Sequence, residues 1–440
     1  MFQLFNNKFT MSKLVNMDFI KEMEWRGMIH DSTPGLNDIL TEGITSGYVG
    51  FDPTATSLHI GNLVPIMLLV HYQRCGHKPI ALIGGATGLI GDPSGKSSER
   101  NLLNIEEINY NVSLIKPQLE LFLDFDIGNK SAEIVNNMDW FKSMNMISFF
   151  RDIGKHLTLN YMMAKDSVKN RIETGISFTE FSYQLIQAYD FYFLHKSKGC
   201  QVQIGGSDQW GNITAGIELI KKISSKKGYA LTTPLITKSD GTKFGKTEEG
   251  NIWLDKKKTS PYKFYQYWVN ISDEDAEKCI KIFTILNQKE IDDISNQHRK
   301  EPHLRLLQKE LAKRITCRVH SDEAYYQAIR VSEILFKKNT ADRINEITEE
   351  EFLMVFEGVD QFKVAKSNLV DGLDPITLLT DISGAFNSKG EVRRLIQSNA
   401  ISINKVKIKS DTVIFKDQLL SNKYLLIQKG KKHYMIISFE

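Results

Sequence analysis

Three short stretches place reactive side chains where phosphate chemistry could use them. In GYVGFDPTATSLHIGNL, residues 47–63, an aromatic and β-branched segment breaks at Asp52-Pro53 and resumes as an apolar run opened by His59, Ile60 and Gly61. If Tyr48 to Phe51 is a strand and a helix begins near His59, the first helical N–H groups point outward with the positive end of the helix dipole behind them. Gly61 carries no Cβ, so a flat ligand can approach the backbone there. His59 can donate to a phosphate oxygen in such a cradle; a histidine at a helix start also serves as an ordinary cap.

The second stretch, GGATGLIGDPSGKSSER at residues 84–100, invites a P-loop reading that its spacing excludes. A Walker A loop needs four residues between its first glycine and the Gly-Lys pair, whereas Gly91 and Gly95 enclose three, and no GxGxxG is present. Asp92 sits where the chain leaves a second strand, placed either to bind a substrate ammonium or to form an Asp-Pro turn. The third stretch, KSDGTKFGKT at residues 238–247, sets Lys243 and Lys246 around a glycine, followed by Thr247. Such a cationic loop can wrap a polyphosphate or simply face water.

The elements that must hold these residues follow from periodicity. Lys78 to Gly84 and Cys200 to Gly205 are strand-like and end in glycine, while Leu63 to Gln73 and Ile213 to Ile223 have helical spacing. This βαβ alternation predicts a parallel sheet with helices on both faces and ligands at the carboxyl ends of the strands. From about Pro261 the texture becomes helical and charged, with Leu304, Leu307, Leu311 and Ile315 on one stripe. Asp374-Pro375 reads as a helix cap. After it come Val392, Leu395 and Ile396 at helical spacing, and a hairpin turning at Asn404-Lys405. The chain thus closes on a small α+β module.

Bulk properties bound the class. A chain of 440 residues, 41% apolar and 25% charged, is expected to form two to four globular domains. Its apolar run from Val64 to Val70 is too short to cross a bilayer. Cys75, Cys200, Cys279 and Cys317 lie far apart with no metal-ligand spacing, which predicts reduced thiols in a cytoplasmic protein and no zinc site. Residues 1–16 resemble neither a secretory signal nor a transit peptide and read as a dispensable extension. Net charge is +3, but residues 384–440 hold eleven Lys or Arg against four Asp or Glu, giving +7 there. That end is a candidate polyanion binder.

Taken together, DPTATSLHIGN (52–62), GGATGLIGDPSGK (84–96), NNMDW (136–140), YQLIQAYD (183–190), QIGGSDQWGN (203–212) and KFGKT (243–247) closely resemble the bacterial tyrosyl-tRNA synthetases. These are class I enzymes whose two signatures are usually written HIGH and KMSKS. The resemblance runs from about Met17 onward. It implies an α/β protein: a Rossmann-like parallel-sheet catalytic domain at 17–255, a helical anticodon-side domain at 256–340, a linker at 341–374 and an S4-like RNA-binding module at 375–440. It also implies homodimerisation. The expected partners are L-tyrosine, ATP accompanied by Mg2+, and tRNA(Tyr), with no membrane and no metal or organic cofactor held by the protein itself.

By the same resemblance, Thr54, His59, Lys243, Lys246 and Thr247 act on the phosphates during tyrosyl-adenylate formation. Tyr48 and Asp190 face the phenol hydroxyl; Asp92, Tyr183, Gln187, Gln203 and Gln209 complete the amino-acid pocket, and Asn137 lies near the substrate carboxylate. Gly50, Asp52, Gly61, Asn62, Gly205, Gly206 and Asp208 join Thr54, His59, Lys243 and Lys246 around ATP. Lys389, Arg393 and Arg394 are the expected RNA contacts. Asn62 stands where HIGH has its second histidine, and KFGKT lacks the methionine and serines of KMSKS but keeps both lysines. An RNA-binding protein that has lost catalysis on this scaffold is the rival reading, against which the retained His59, Lys243, Lys246, Tyr48 and Asp190 speak. A tryptophanyl enzyme suits the Tyr48–Asp190 pair less well than a phenol substrate does.

Overall fold

The computed structural model describes residues 17–96, 102–172, 175–242, 244–247, 250–336, 344–369, 372–430 and 433–440. Residues 1–16 and Lys243 lie outside them, and for Lys246 and Thr247 only the backbone is described. Two compact units divide the chain: Met1–Thr259 with Trp268–Val319, and Ser260–Tyr267 with His320–Glu440. The helical stretch expected to stand alone is therefore shared between them.

The first unit is built on a six-stranded sheet of β1 (Asp31–Ser32), β2 (Ser46–Phe51), β3 (Lys78–Ile83), β4 (Glu133–Asn136), β5 (Cys200–Gly206) and β6 (Tyr229–Thr233). Its order is β1-β6-β5-β2-β3-β4, parallel throughout except for β1. The chain runs outward from β2 through β3 to β4 and then returns to lay β5 on the other side of β2. The strand order reverses there, and the carboxyl ends of β2 and β5 diverge into a crevice. Helix α1 (Leu63–Arg74) follows β2 and is buried from Leu63 to Gln73 except at Pro65, which explains its nearly all-round apolar sequence. Helix α2 (Ile105–Glu120) braces the loop after β2: Asn111 Nδ2 donates to Pro53 O at 2.8 Å, and Gln118 Oε1 accepts from Leu58 N at 3.0 Å.

Helices α3 (Phe178–Lys198) and α4 (Trp210–Ser224) pack together beside β5. Their close approach is set at Gly216, where an added Cβ would come within 2.9 Å of Phe191 Cβ and 3.0 Å of its ring. Tyr48, Ile80, Leu82, Phe191, Leu194 and Ile220 form the core between this pair and the sheet. Helices α5 (Asp273–Phe283) and α6 (Leu306–Val319) belong to the same unit. Leu307, Leu311 and Ile315 are buried as expected, but Leu304 lies in a separate turn and is 37% exposed. Pro302 starts that turn and Arg305, at φ 53°, ends it, so the helical stripe cannot extend back to Leu304.

The short hairpin β7 (Lys246–Thr247) and β8 (Gly250–Asn251) belongs to the first unit. The second unit holds β9 (Asp360–Val364), β10 (Ile401–Ile403), β11 (Val406–Lys407), β12 (Tyr424–Lys429) and β13 (His433–Phe439), in the order β11-β10-β12-β13-β9. Helix α7 (Lys389–Gln397) buries Val392 and Ile396 in the core under this sheet. Asp374 caps its turn through Thr377 N at 2.8 Å, and Asn404 and Lys405 both take positive φ at the tip between β10 and β11, the geometry of a two-residue hairpin. The stretch 341–374, read as linker, is corrected: it supplies β9, which pairs in parallel with β13. Its DQFKV buries fully only Val364, too weak an alternation to announce a strand. Among the described residues no helix is long and apolar enough to cross a membrane.

Candidate active site

The site starts at the two diverging strands. Tyr48 of β2 and Gln203 of β5 are register partners across the parallel pair, so their side chains leave the same face of the sheet. Both are buried, and among the described residues neither the Tyr48 hydroxyl nor Gln203 Oε1 has a hydrogen-bond partner. An unsatisfied buried polar group costs about 1–3 kcal/mol, which a ligand can relieve. Asp190 of α3 closes this end. Trp140 Nε1 donates to its Oδ1 at 2.8 Å and Asn137 Nδ2 donates to its Oδ2 at 3.0 Å. Burial pushes the Asp190 carboxyl up to about 8; the two donors pull the other way, and Asp52 adds to the rise. Burial first, and then the Asp190 charge, holds the Tyr48 phenol well above its ordinary range.

Asn137 is spent within the protein. Its Oδ1 accepts from Ala86 N at 2.6 Å and its Nδ2 reaches both Thr87 Oγ1 and Asp190. It orients Asp190 from a fully buried position, and nothing in its geometry aims it at a substrate carboxylate. Trp140 shares that task; it stands inside the quoted NNMDW, but only the long-range fold reveals its partner.

One helical face of α3 carries Tyr183 and Gln187 along the crevice from Asp190. The Tyr183 hydroxyl donates to Asp52 Oδ2 at 2.8 Å, and Asp52 Oδ1 accepts from Thr87 at 2.7 Å. Gln209 Nε2 donates to Asp92 Oδ2 at 2.7 Å, Gln187 Nε2 approaches Gln209 Oε1 at 3.4 Å, and Gln187 Oε1 is buried with no partner among the described residues. Ser94 N and Asn212 support Asp92 from behind, a role that single-residue reasoning missed. The field here is negative. Burial, then Asp52 and Asp92, push the Tyr183 phenol well above its ordinary range, and burial, then Asp92, raises the Asp208 carboxyl. Carboxylates converging on a partly closed crevice suit an ammonium group.

The opposite end joins the two signature stretches. Ile60–Asn62 is a single 3₁₀ turn running into α1. His59 Nδ1 accepts from Gly61 N at 3.0 Å, and Asn62 Oδ1 accepts from His59 N at 3.0 Å. An accepting Nδ1 puts the proton of the neutral ring on Nε2, as a phosphate donor requires. Gly61 is glycine for a nearer reason than ligand approach: a Cβ there would lie 2.8 Å from His59 Cε1. Gly245 of KFGKT, at φ 84°, packs so closely on this turn that an added Cβ would sit 2.8 Å from Ile60 Cγ1. Lys246 and Thr247 follow directly in β7.

Gly50 at the end of β2 and Thr54 beyond it are exposed. Gly206 admits the Asp208 carboxylate, and Gly205 abuts Gln209 and Ile213. In the second unit Arg393 and Arg394 are exposed on α7, while Lys389 pairs with Asp381 at 2.6 Å. Among the described residues no grouping of three or more His, Cys, Asp or Glu could hold a metal.

Comparison with known proteins agrees with this geometry. The family model for tRNA synthetases class I (W and Y) matches residues 42–337, and that for the tyrosine–tRNA ligase SYY-like C-terminal domain matches 351–437. The tyrosine–tRNA ligase of Bacteroides fragilis is 55% identical over 428 residues, covering 96% of this chain and 99% of its own. That of Porphyromonas gingivalis is 55% identical over 430 residues, covering 96% and 100%. A C-terminally truncated mitochondrial tyrosyl-tRNA synthetase from Aspergillus nidulans superposes with a TM-score of 0.65 at 33% identity, over 72% of this chain and 94% of that one. With the signature turns in contact and the likeness extending over nearly its whole length, the chain belongs to the class I tRNA synthetases of the W and Y group, and within it to the tyrosine–tRNA ligases.

Proposed function

We propose that this chain activates L-tyrosine with ATP to tyrosyl-adenylate and pyrophosphate, then transfers the tyrosyl group to the 3′-terminal adenosine of tRNA(Tyr). The observation that carries the specificity is the buried, unpartnered Tyr48 hydroxyl beside Asp190. A phenol O–H donates to Asp190 and accepts from Tyr48, satisfying both. Phenylalanine would satisfy neither; tyrosyl-tRNA synthetases are themselves the reference case for this discrimination, at about 10⁵-fold. Asp92, Gln187 and Gln209, with Tyr183 turned toward Asp52, receive the ammonium, and Gln203 faces the bound amino acid.

The attacking group is the substrate carboxylate, already ionised at neutral pH, so no protein base is needed. The chain's work is positioning and charge stabilisation. Negative charge grows on the α-phosphate and on departing pyrophosphate. His59 and Thr54 meet it from the turn before α1, and Lys243, Lys246 and Thr247 from the loop that Gly245 seats on that turn. Gly50, Asp52, Gly61, Asn62, Gly205, Gly206 and Asp208 surround the remainder of ATP. Magnesium enters with ATP as part of the substrate. Exposed Lys389, Arg393 and Arg394 contact tRNA phosphates.

We also read the chain as a cytoplasmic homodimer. Four free cysteines fit a reducing compartment. Met146, Ile147, Phe150, Leu159, Met163 and Phe178 are all exposed, an apolar set that suits a second copy of the chain.

Tyrosine-dependent ATP–pyrophosphate exchange tests the reading. Lys246→Ala is expected to lower the exchange rate about 10²- to 10³-fold, as loss of one transition-state donor does, with tyrosine affinity retained. Asp190→Ala is expected to weaken tyrosine binding itself. Full exchange by Lys246→Ala would remove the loop from the mechanism.

A further inference from the structure

Among the described residues, contacts to the His59 imidazole come both from the HIGN turn and from outside it. Beneath it, Gly61 N–H binds Nδ1 and the missing Cβ leaves room for the ring. Against its other side stands the indole of Trp253, edge-to-face, with ring centroids 6.0 Å apart and planes at 69°. Such a pairing prefers one relative orientation of the two rings. Trp253 is itself held: its backbone N–H donates to Thr259 Oγ1 at 3.0 Å, and Lys258 Nζ lies 4.7 Å from its ring centroid.

The backbone makes this contact more than a local one. His59 and Trp253 form an antiparallel bridge, flanked by Ile60 N to Ile252 O at 2.9 Å and Leu254 N to Leu58 O at 2.9 Å. Ile252 N in turn donates to Gly245 O at 3.1 Å, inside KFGKT. The strap 252–254 therefore binds the histidine turn on one side and the base of the cationic loop on the other. A displacement of that base is transmitted to the indole, and the indole sets the imidazole.

We propose that Trp253 is a positioning residue that fixes the aim of His59 and couples it to the seating of the KFGKT loop. The inference rests on His59 acting on the ATP phosphates. A ring released from the indole keeps its Nδ1 acceptor but samples orientations that carry Nε2–H off the phosphate, so the loss falls on catalysis and spares amino-acid binding.

The test is a double-mutant cycle on the full chain, read by tyrosine-dependent pyrophosphate exchange. Trp253→Leu, which keeps bulk without a ring, is expected to lower kcat about 20-fold, as a small misplacement of a catalytic group does, with KM for tyrosine moving less than about twofold. Trp253→Phe, which restores an aromatic edge, should recover to within about threefold of the parent. In a His59→Ala background, Trp253→Leu should cost no more than about a further twofold, because the two act as one unit. An equal loss in both backgrounds, or a parallel rise in the KM for tyrosine, overturns the proposal. Exchange undiminished in His59→Ala alone sinks the reading of His59, and the proposal with it. As a readout apart from activity, NMR of the His59 ring should show Nε2–H dominant in both proteins, with the ring C–H relaxation of one rigid orientation in the parent and enhanced ring motion in Trp253→Leu; identical relaxation overturns it.

Discussion

Tyr48 places a hydroxyl in a buried position without giving it a protein partner, trading folding stability for recognition. Tyr48→Phe should therefore raise the stability of the ligand-free protein by about 1 kcal/mol and weaken tyrosine binding about tenfold, read by denaturant unfolding and by calorimetric titration. Asp190 makes a second prediction. Its folded carboxyl titrates at about 8, whereas an unfolded aspartate releases its proton near 3.9. Between those values the folded chain holds a proton that the unfolded chain has lost, so this group's contribution falls as pH rises through the window and levels off above 8. Melting temperature followed from pH 5 to pH 8 should accordingly fall more steeply in the parent than in Asp190→Asn; equal slopes would refute the raised value. At this scale the sequence was legible through motifs: Tyr48, His59, Asp92 and Asp190 stand in recognisable strings. The roles of Trp140, Thr87, Asn212 and Trp253 were not, even where the residue stands in such a string, because each acts through a partner about 35 to 200 residues away that no local spacing reports.

Elements carry these side chains to depth, and α3 is the most demanding of them because Tyr183, Gln187 and Asp190 all ride on it. Its distance from α4 is limited at Gly216 against the Phe191 ring, which has no room to retreat. Gly216→Ala gains about 1 kcal/mol of helix propensity but overpacks this contact, for which about 1–3 kcal/mol is typical. The expected net result is a lower melting temperature and a larger loss of tyrosine affinity than of ATP affinity; the reverse ranking would mean that α3 does not set the amino-acid pocket. The long periodic elements α1, α4 and α6, and the glycine-terminated strands β3 and β5, could be read from spacing. The first turn of the Leu304 stripe could not, since one residue in a left-handed conformation, Arg305, separates it from the helix. Nor could β9, whose partner strand lies far along the chain and whose own alternation is faint.

For the whole molecule, the division into two units changes where the chain can be cut. Ending it at residue 374 would leave β9 without β13 and would strip Val364 and Leu369 of their core. Ending it at 342 removes both together. The shorter chain is expected to remain soluble and retain exchange within about threefold while losing tRNA charging, whereas the longer one should aggregate, as unpaired apolar strands do; equal solubility by gel filtration would contradict this. The uneven charge was visible from composition, but the boundary was not, because β9 enters the second sheet before the basic region begins. The parallel pairing of β9 with β13 also orders events during synthesis. β9 leaves the ribosome well before its partner β13 exists, and Lys366 N and Val364 O wait for Glu440 to supply their mates. The first unit can thus be complete on a nascent polypeptide whose second sheet still lacks β13.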